Sequence, residues 1–222
     1  MNSILKIGHR GAAGYIAENT LASFEKALEL QVDGIELDVH LSLDKEIMVI
    51  HDETLDRTTY EKGYVTNFTS SQLQQLGIPT LIEVLTFINR QCFINIELKG
   101  IGTAKPVVEL IEHCVLSKNW HYKDFLVSSF DWKMLEEVLW LNPKIRIGVL
   151  TEESIEGAWA FAKKINAHSI HPDYRLLSKE NVVLMQEKGF EVFPWTVNFK
   201  EDIQKIKSLH VNGIISDFPD KI

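Results

Sequence analysis

The sequence predicts an α/β fold in which parallel strands close into a (β/α)8 barrel, with a doubly wound sheet as the rival arrangement. Three observations carry that expectation. Short β-type runs alternate with amphipathic helical stretches along all 222 residues. Eight such runs stand outside a single irregular segment. No composition shift or low-complexity linker marks a boundary, so one domain over residues 1–222 is expected.

The first strand is expected at 5–8, running into Gly8-His9-Arg10-Gly11. A helix over 20–30 follows, with Leu21, Phe24, Ala27 and Leu28 on one face and Asn19 before them as N-cap. The second strand, 34–40, leads into the segment that breaks the rhythm. Residues 47–51 read as a further strand, too close for a parallel crossover, and so predict a hairpin. A turn centred between Asp44 and Lys45 sets His51 opposite Asp38, on the face shared by Glu36. Residues 53–79, rich in Asp, Thr, Ser and Gly, read as a small excursion over the barrel mouth with little apolar bulk. The insertion after the second strand thus spans about 41–79, and Pro79 closes it before a helix over 81–89. Strands at 93–98, 125–129, 145–150, 169–171, 191–196 and 213–216 then alternate with helices at 104–116, 132–141, 155–165, 179–188 and 200–208. Gly189 follows the helix at 179–188 as a natural C-terminal stop. Only six residues follow Ser216, which predicts an abbreviated last helix. The apolar stripe left bare would suit a second copy of the chain, a homodimer.

Composition narrows the function classes. With 45% hydrophobic and 24% charged residues, the chain has the make-up of an ordinary globular protein. No apolar run approaches the roughly 20 residues of a membrane span, so no stable membrane insertion is expected. The N-terminus lacks a basic leader, an apolar stretch and a small-residue cleavage site, which predicts a cytoplasmic protein. Cys92 and Cys114 lie in apolar segments and read as buried reduced thiols. A net charge of −8 without basic runs argues against nucleic acid as a partner. The same field repels anions at long range, so any phosphate chemistry must rest on local cations.

Such cations occur beside acids at strand ends. His9 and Arg10 close the first strand, Glu36 and Asp38 lie on the second, His51 follows the hairpin, and Glu97 and Lys99 end the next strand. In a barrel these ends converge on one mouth, and side chains two apart share a face. Three converging carboxylates repel one another unless a cation sits between them, and an all-oxygen set suits Mg²⁺ or Ca²⁺ better than Zn²⁺. Arg10 and Lys99 supply charge for a phosphate, and two histidines can divide the work of general base and acid. The set suits phosphodiester cleavage. Taken singly, each part has a plainer reading: a Glu-x-Asp pair on a strand can face solvent, and Asn19 reads as a helix cap rather than a substrate contact. His40 shares parity with Glu36 and Asp38 but reads as supporting or exposed, and His171 as structural. Trp195, at the end of the seventh strand, reads as core filler or, the preferred reading, as a wall of the substrate pocket.

Read in order, Gly8-His9-Arg10-Gly11, Glu18-Asn19-Thr20, Gly34-Ile35-Glu36-Leu37-Asp38-Val39, Val49-Ile50-His51-Asp52, Asp56-Arg57-Thr58-Thr59, Asn95-Ile96-Glu97-Leu98-Lys99, Trp195-Thr196-Val197-Asn198 and Ser216-Asp217-Phe218-Pro219 resemble the glycerophosphodiester phosphodiesterase family. The resemblance spans almost the whole chain. It implies a TIM-type (β/α)8 barrel with a small insertion after the second strand. It also implies metal-dependent hydrolysis of small-molecule glycerophosphodiesters to sn-glycerol 3-phosphate and an alcohol. Under it, His9 and His51 match the acid/base pair; Glu36, Asp38 and Glu97 the ligands of Mg²⁺ or Ca²⁺; Arg10 and Lys99 the phosphate contacts; and Trp195 a pocket residue. The attacking oxygen is that of water or of the neighbouring glycerol 2-hydroxyl, and the sequence is compatible with both. A lysophospholipase D and a non-catalytic phosphate-binding barrel are the alternative readings. The departures are Leu43-Asp44-Lys45 where Lys-Asp-Gly is commoner, His40 where a neutral polar residue is usual, and the short C-terminus.

Overall fold

Eight parallel strands follow one another round a nearly closed barrel in the computed structural model, which describes residues 3–222. In chain order they are β1 (Leu5–His9), β2 (Gly34–Leu41), β4 (Phe93–Leu98), β5 (Phe125–Ser129), β6 (Arg146–Thr151), β7 (Ser169–Pro172), β8 (Glu191–Val192) and β9 (Gly213–Ser216), with the hairpin strand β3 (Ile47–Val49) beside β2. Neighbours pair from β9 through β1, β2, β4, β5, β6 and β7 to β8. This is the TIM-type barrel expected, and the doubly wound sheet is excluded. The helices are α1 (Leu21–Glu29), α2 (Ser70–Gln75), α3 (Leu81–Ile88), α4 (Ala104–Ser117), α5 (Trp132–Leu141), α6 (Ile155–Ile165), α7 (Lys179–Glu187) and α8 (Lys200–Ser208). A single 3-10 turn, Pro219–Lys221, stands where a helix would follow β9.

The expected strand at 191–196 is reduced to β8: on the β7 side Pro172 lacks the N–H that would donate to the Phe193 carbonyl, and on the β9 side the interruption falls at Pro194. The stretch still runs extended against β7, through Phe193 N–H to Ile170 O and Trp195 N–H to Pro172 O, each 3.1 Å. On its other side the barrel is closed by isolated bonds: Asn212 N–H to Val192 O (3.2 Å), Ile215 N–H to Pro194 O (3.0 Å) and Val197 N–H to Ile215 O (3.0 Å).

Side-chain alternation sorts β2 into two environments. Ile35, Leu37 and Val39 join the main apolar core with the helices, whereas Glu36 and Asp38 point into the barrel. Below them, Ile7, Leu126, Phe193 and Ile215 form a separate apolar plug. Gly34 makes room at the barrel floor, since a Cβ there would come within 2.3 Å of the Phe93 ring. Both cysteines are buried and unpaired, and burial pushes the Cys92 thiol up to about 12.

The insertion differs from expectation in three ways. Its hairpin pairs Val39 with Val49 and Leu41 with Ile47, one residue out of the expected register. The turn is a three-residue loop, closed by Ser42 N–H to Glu46 O, with Lys45 in the left-handed region at φ 68°. Ile50, not His51, therefore meets Asp38. Next, the insertion carries a small core of its own, in which Met48 and Ile50 of the hairpin pack with Leu55, Val65, Leu73 and Ile78 of the excursion. Finally, it contains α2, whose sequence SSQLQQ buries only Leu73 and so shows no periodicity. A capping box between Thr69 and Gln72 starts that helix. Asp44 anchors it to the hairpin by accepting from Ser42 Oγ, Ser70 N and Ser70 Oγ, which hold its carboxyl at about 2.

Lys45 occupies a conformation that costs an L side chain more than glycine. We expect Lys45→Gly to raise unfolding stability by about 0.5–1 kcal/mol in urea titration. A loss of stability would show that the turn does not hold this conformation.

Candidate active site

The chain leaves β1 through a tight turn that sets the first functional groups. Arg10 adopts φ 51°, a left-handed conformation for a non-glycine residue. It is held there from both sides: its N–H donates to Glu36 Oε2 (3.0 Å), and its carbonyl accepts from Asn19 N (3.0 Å) and Ser23 Oγ (3.0 Å). Asn19 is not the helix cap; Thr20 is, accepting from Ser23 N. Asn19 is buried instead, donating from Nδ2 to Asp38 Oδ2 at 2.9 Å.

Glu36 and Asp38 on β2 and Glu97 on β4 converge, with one oxygen of each within 4.8 Å of the others. Glu36 Oε1 and Asp38 Oδ1 are buried and accept no hydrogen bond. Burial, reinforced by the Asp38 and Glu97 charges, holds Glu36 well above its ordinary range. Burial and Asp38 likewise push Glu97 up to about 7, against the pull of Lys99. Orphaned, mutually repelling oxygens of this kind fit a hard divalent cation, and they can hold one.

Cations flank the carboxylates. Lys99 Nζ lies 2.6 Å from Glu97 Oε1 and 3.7 Å from Asp38 Oδ1. Arg10 Nε lies 3.4 Å from Asp38 Oδ2, and Arg10 Nη1 donates to Glu18 Oε1 at 2.8 Å. His9 turns its Nδ1 to Asp217 Oδ1 (2.6 Å), leaving Nε2 4.0 Å from Glu36 Oε2. His51 turns its Nδ1 to Asp52 Oδ1, also at 2.6 Å, and burial lowers its basicity. Both histidines line one cavity of about 340 Å³ with Glu36, Glu97 and Lys99. Its wall includes Trp195 and Phe130, edge to face at 5.3 Å, and Trp195 Nε1 is pinned to His171 O at 2.8 Å. The structure thus brings together all eight residues singled out in the sequence: His9, Arg10, Glu36, Asp38, His51, Glu97, Lys99 and Trp195. His40 is buried and donates from Nε2 to the His51 carbonyl (3.0 Å), a supporting position; His171 is fully buried and neutral, held at about 3.

A profile of the glycerophosphoryl diester phosphodiesterase family matches residues 9–221. The chain belongs to that family. A glycerophosphodiester phosphodiesterase of Caldanaerobacter subterraneus subsp. tengcongensis is 37% identical over 233 residues, covering 98% of this chain and 96% of the relative. Among solved structures, a glycerophosphodiester phosphodiesterase from Thermotoga maritima matches with a TM-score of 0.87 at 33% identity, over 99% of this chain and 97% of that one. An Oleispira antarctica phosphodiesterase, solved in complex with the product sn-glycerol-3-phosphate, matches at 0.86 with 27% identity over 97% and 94%. As a glycerophosphodiester phosphodiesterase, the chain is an enzyme that cleaves phosphodiesters.

Sequence reasoning passed over several groups of this phosphodiesterase site. Asp52 and Asp217 orient the two histidines, and Asn198 Nδ2 in turn holds Asp217 Oδ2 at 2.5 Å. All three stood within motifs already quoted, but only the strand ends' convergence shows what they touch. The signal for Asp52 was its place directly after His51.

The raised Glu97 carboxyl has a consequence for stability in the metal-free enzyme. A carboxyl moved from its ordinary 4.5 to about 7 favours folding below 4.5 and loses that contribution as pH rises through 7. His40 and His51, held low by burial, slope the other way. The difference between wild type and Glu97→Gln reports this carboxyl together with the part of the Glu36 rise that its charge causes: the variant should gain melting temperature relative to wild type from about pH 4.5 to 7. A pH-independent difference would contradict the raised value.

Proposed function

We propose that this enzyme hydrolyses glycerophosphodiesters to sn-glycerol 3-phosphate and an alcohol, with His9 and His51 sharing proton transfer beside a divalent cation held by Glu36, Asp38 and Glu97. The observation that carries the reading is the paired imidazoles. Each is locked at Nδ1 by a carboxylate at 2.6 Å, and each faces the cavity that also holds the acidic triad. Such locking fixes the tautomer and leaves Nε2 for the reacting oxygens. One histidine takes the proton of the attacking oxygen; the other delivers a proton to the departing alcohol oxygen.

In this reading Arg10 and Lys99, which flank the triad, pair with the non-bridging phosphoryl oxygens. They supply the local positive charge that a chain of net charge −8 lacks at long range. Trp195 and Phe130 offer an apolar wall for the carbon face of glycerol. A bound Mg²⁺ or Ca²⁺, either of which suits three carboxylates, would add Lewis acidity toward the same oxygens. The product seen with the Oleispira antarctica phosphodiesterase supports sn-glycerol 3-phosphate as the product here.

His9→Ala and His51→Ala should each lower kcat on glycerophosphocholine by about 10²-fold or more while the protein stays folded by circular dichroism. EDTA should abolish turnover, and Mg²⁺ or Ca²⁺ should restore it. Near-normal kcat in either variant would sink the histidine assignment; full activity after exhaustive chelation would sink the cation site.

A further inference from the structure

Arg57 lies on the excursion with 47% of its side chain exposed, yet all three guanidinium nitrogens are engaged. Nε and Nη2 donate to Asp52, at 2.7 Å to Oδ2 and 3.0 Å to Oδ1. Nη1 and Nη2 donate to Glu18, at 2.7 Å to Oε2 and 2.7 Å to Oε1. The two carboxylates it joins come from different places, Glu18 from the loop after β1 and Asp52 from the start of the excursion. Each has one further partner. Asp52 Oδ1 accepts from His51 Nδ1, and Glu18 Oε1 accepts from Arg10 Nη1. The chain of contacts therefore runs Arg10, Glu18, Arg57, Asp52, His51.

We propose that Arg57 is a positioning residue for phosphodiester cleavage: by bridging Asp52 and Glu18 it holds the His51 imidazole and the Arg10 guanidinium in register with each other. A carboxylate that accepts from one histidine alone can rotate about its own side-chain bonds. Asp52, gripped on both oxygens by a planar fork, cannot, and His51 Nδ1–H is then given a fixed acceptor. Glu18 is gripped in the same way, on both oxygens, and presents Oε1 to Arg10. Only arginine has the geometry for this, since a lysine ammonium is a point charge that cannot form two forks at once. A brace for stability is a poorer account, because half-exposed ion pairs contribute little to folding. The inference rests on His51 acting in proton transfer, and its test separates the two.

With glycerophosphocholine and saturating Mg²⁺, Arg57→Gln should lower kcat about 10- to 100-fold with little change in melting temperature. Arg57→Lys should recover only part of that loss. In ¹⁵N-histidine spectra the neutral His51 ring should keep its proton on Nδ1 in wild type and become a mixture of tautomers in Arg57→Gln. Wild-type kcat in Arg57→Gln overturns the proposal. So does a kcat loss that matches the loss of folded protein while the His51 tautomer is unmoved. His51→Ala is the control: if it turns over normally, the proton-transfer reading fails first; if it is inactive while Arg57→Gln is not impaired, only the role of Arg57 fails.

Discussion

Three carboxylates buried at the mouth of a barrel repel one another, and much of what surrounds them answers that repulsion. Glu36, Asp38 and Glu97 stand within a few ångströms in a place water reaches poorly, where like charges are hard to maintain. Lys99 leans on Glu97, and Arg10 and the Asn19 amide share one Asp38 oxygen, Oδ2. The strained turn at Arg10 makes sense in this light: it aims a backbone N–H at Glu36 that an ordinary loop would point elsewhere. Without compensation the protein alone must keep protons on this set, which is the state the raised Glu36 and Glu97 carboxyls describe.

The same constraint explains why an acidic protein can handle an anionic group. Its overall field is unfavourable, but the cations are concentrated where the acids are, and the balance at the mouth is local. Around this centre the histidines are held by carboxylates of their own, Asp217 and Asp52, rather than by the triad. The acids that hold the histidines are thus distinct from those of the triad, so the protonation of one set need not follow that of the other.

Much of the architecture was legible because parallel strands buried on both faces announce themselves as apolar runs: 93–98, 125–129 and 213–216 coincide with β4, β5 and β9. The convergence of the eight candidate residues was legible for a related reason, since strand ends in a barrel must meet. What escaped depended on single backbone choices. Lys45 in the left-handed region shifted the hairpin by one residue, so His51 reaches the site after the ladder ends at Val49. Thr20 rather than Asn19 caps α1, because Asn19 has a stronger claim from Asp38. Pro172 and Pro194 cut β8 short, and α2 is too short and polar to show a period. The roles of Asp217, Glu18 and Arg57 depend on contacts between distant segments, for which sequence spacing carries no sign.

One of those contacts spans the entire fold. His9 ends the first strand and Asp217 follows the last, 208 residues away, and the two strands are neighbours only through closure of the barrel. Half of the histidine pair is thus completed by the same event that completes the sheet. A chain emerging from the ribosome carries His9 and the acidic triad early, but lacks a properly oriented His9 until the final strand has docked against the first. Partial folds, truncated products and chains frayed at this seam share that defect. On the proposed role of His9, turnover is a property of the finished barrel, and a chain whose last strand has not docked lacks one half of the histidine pair.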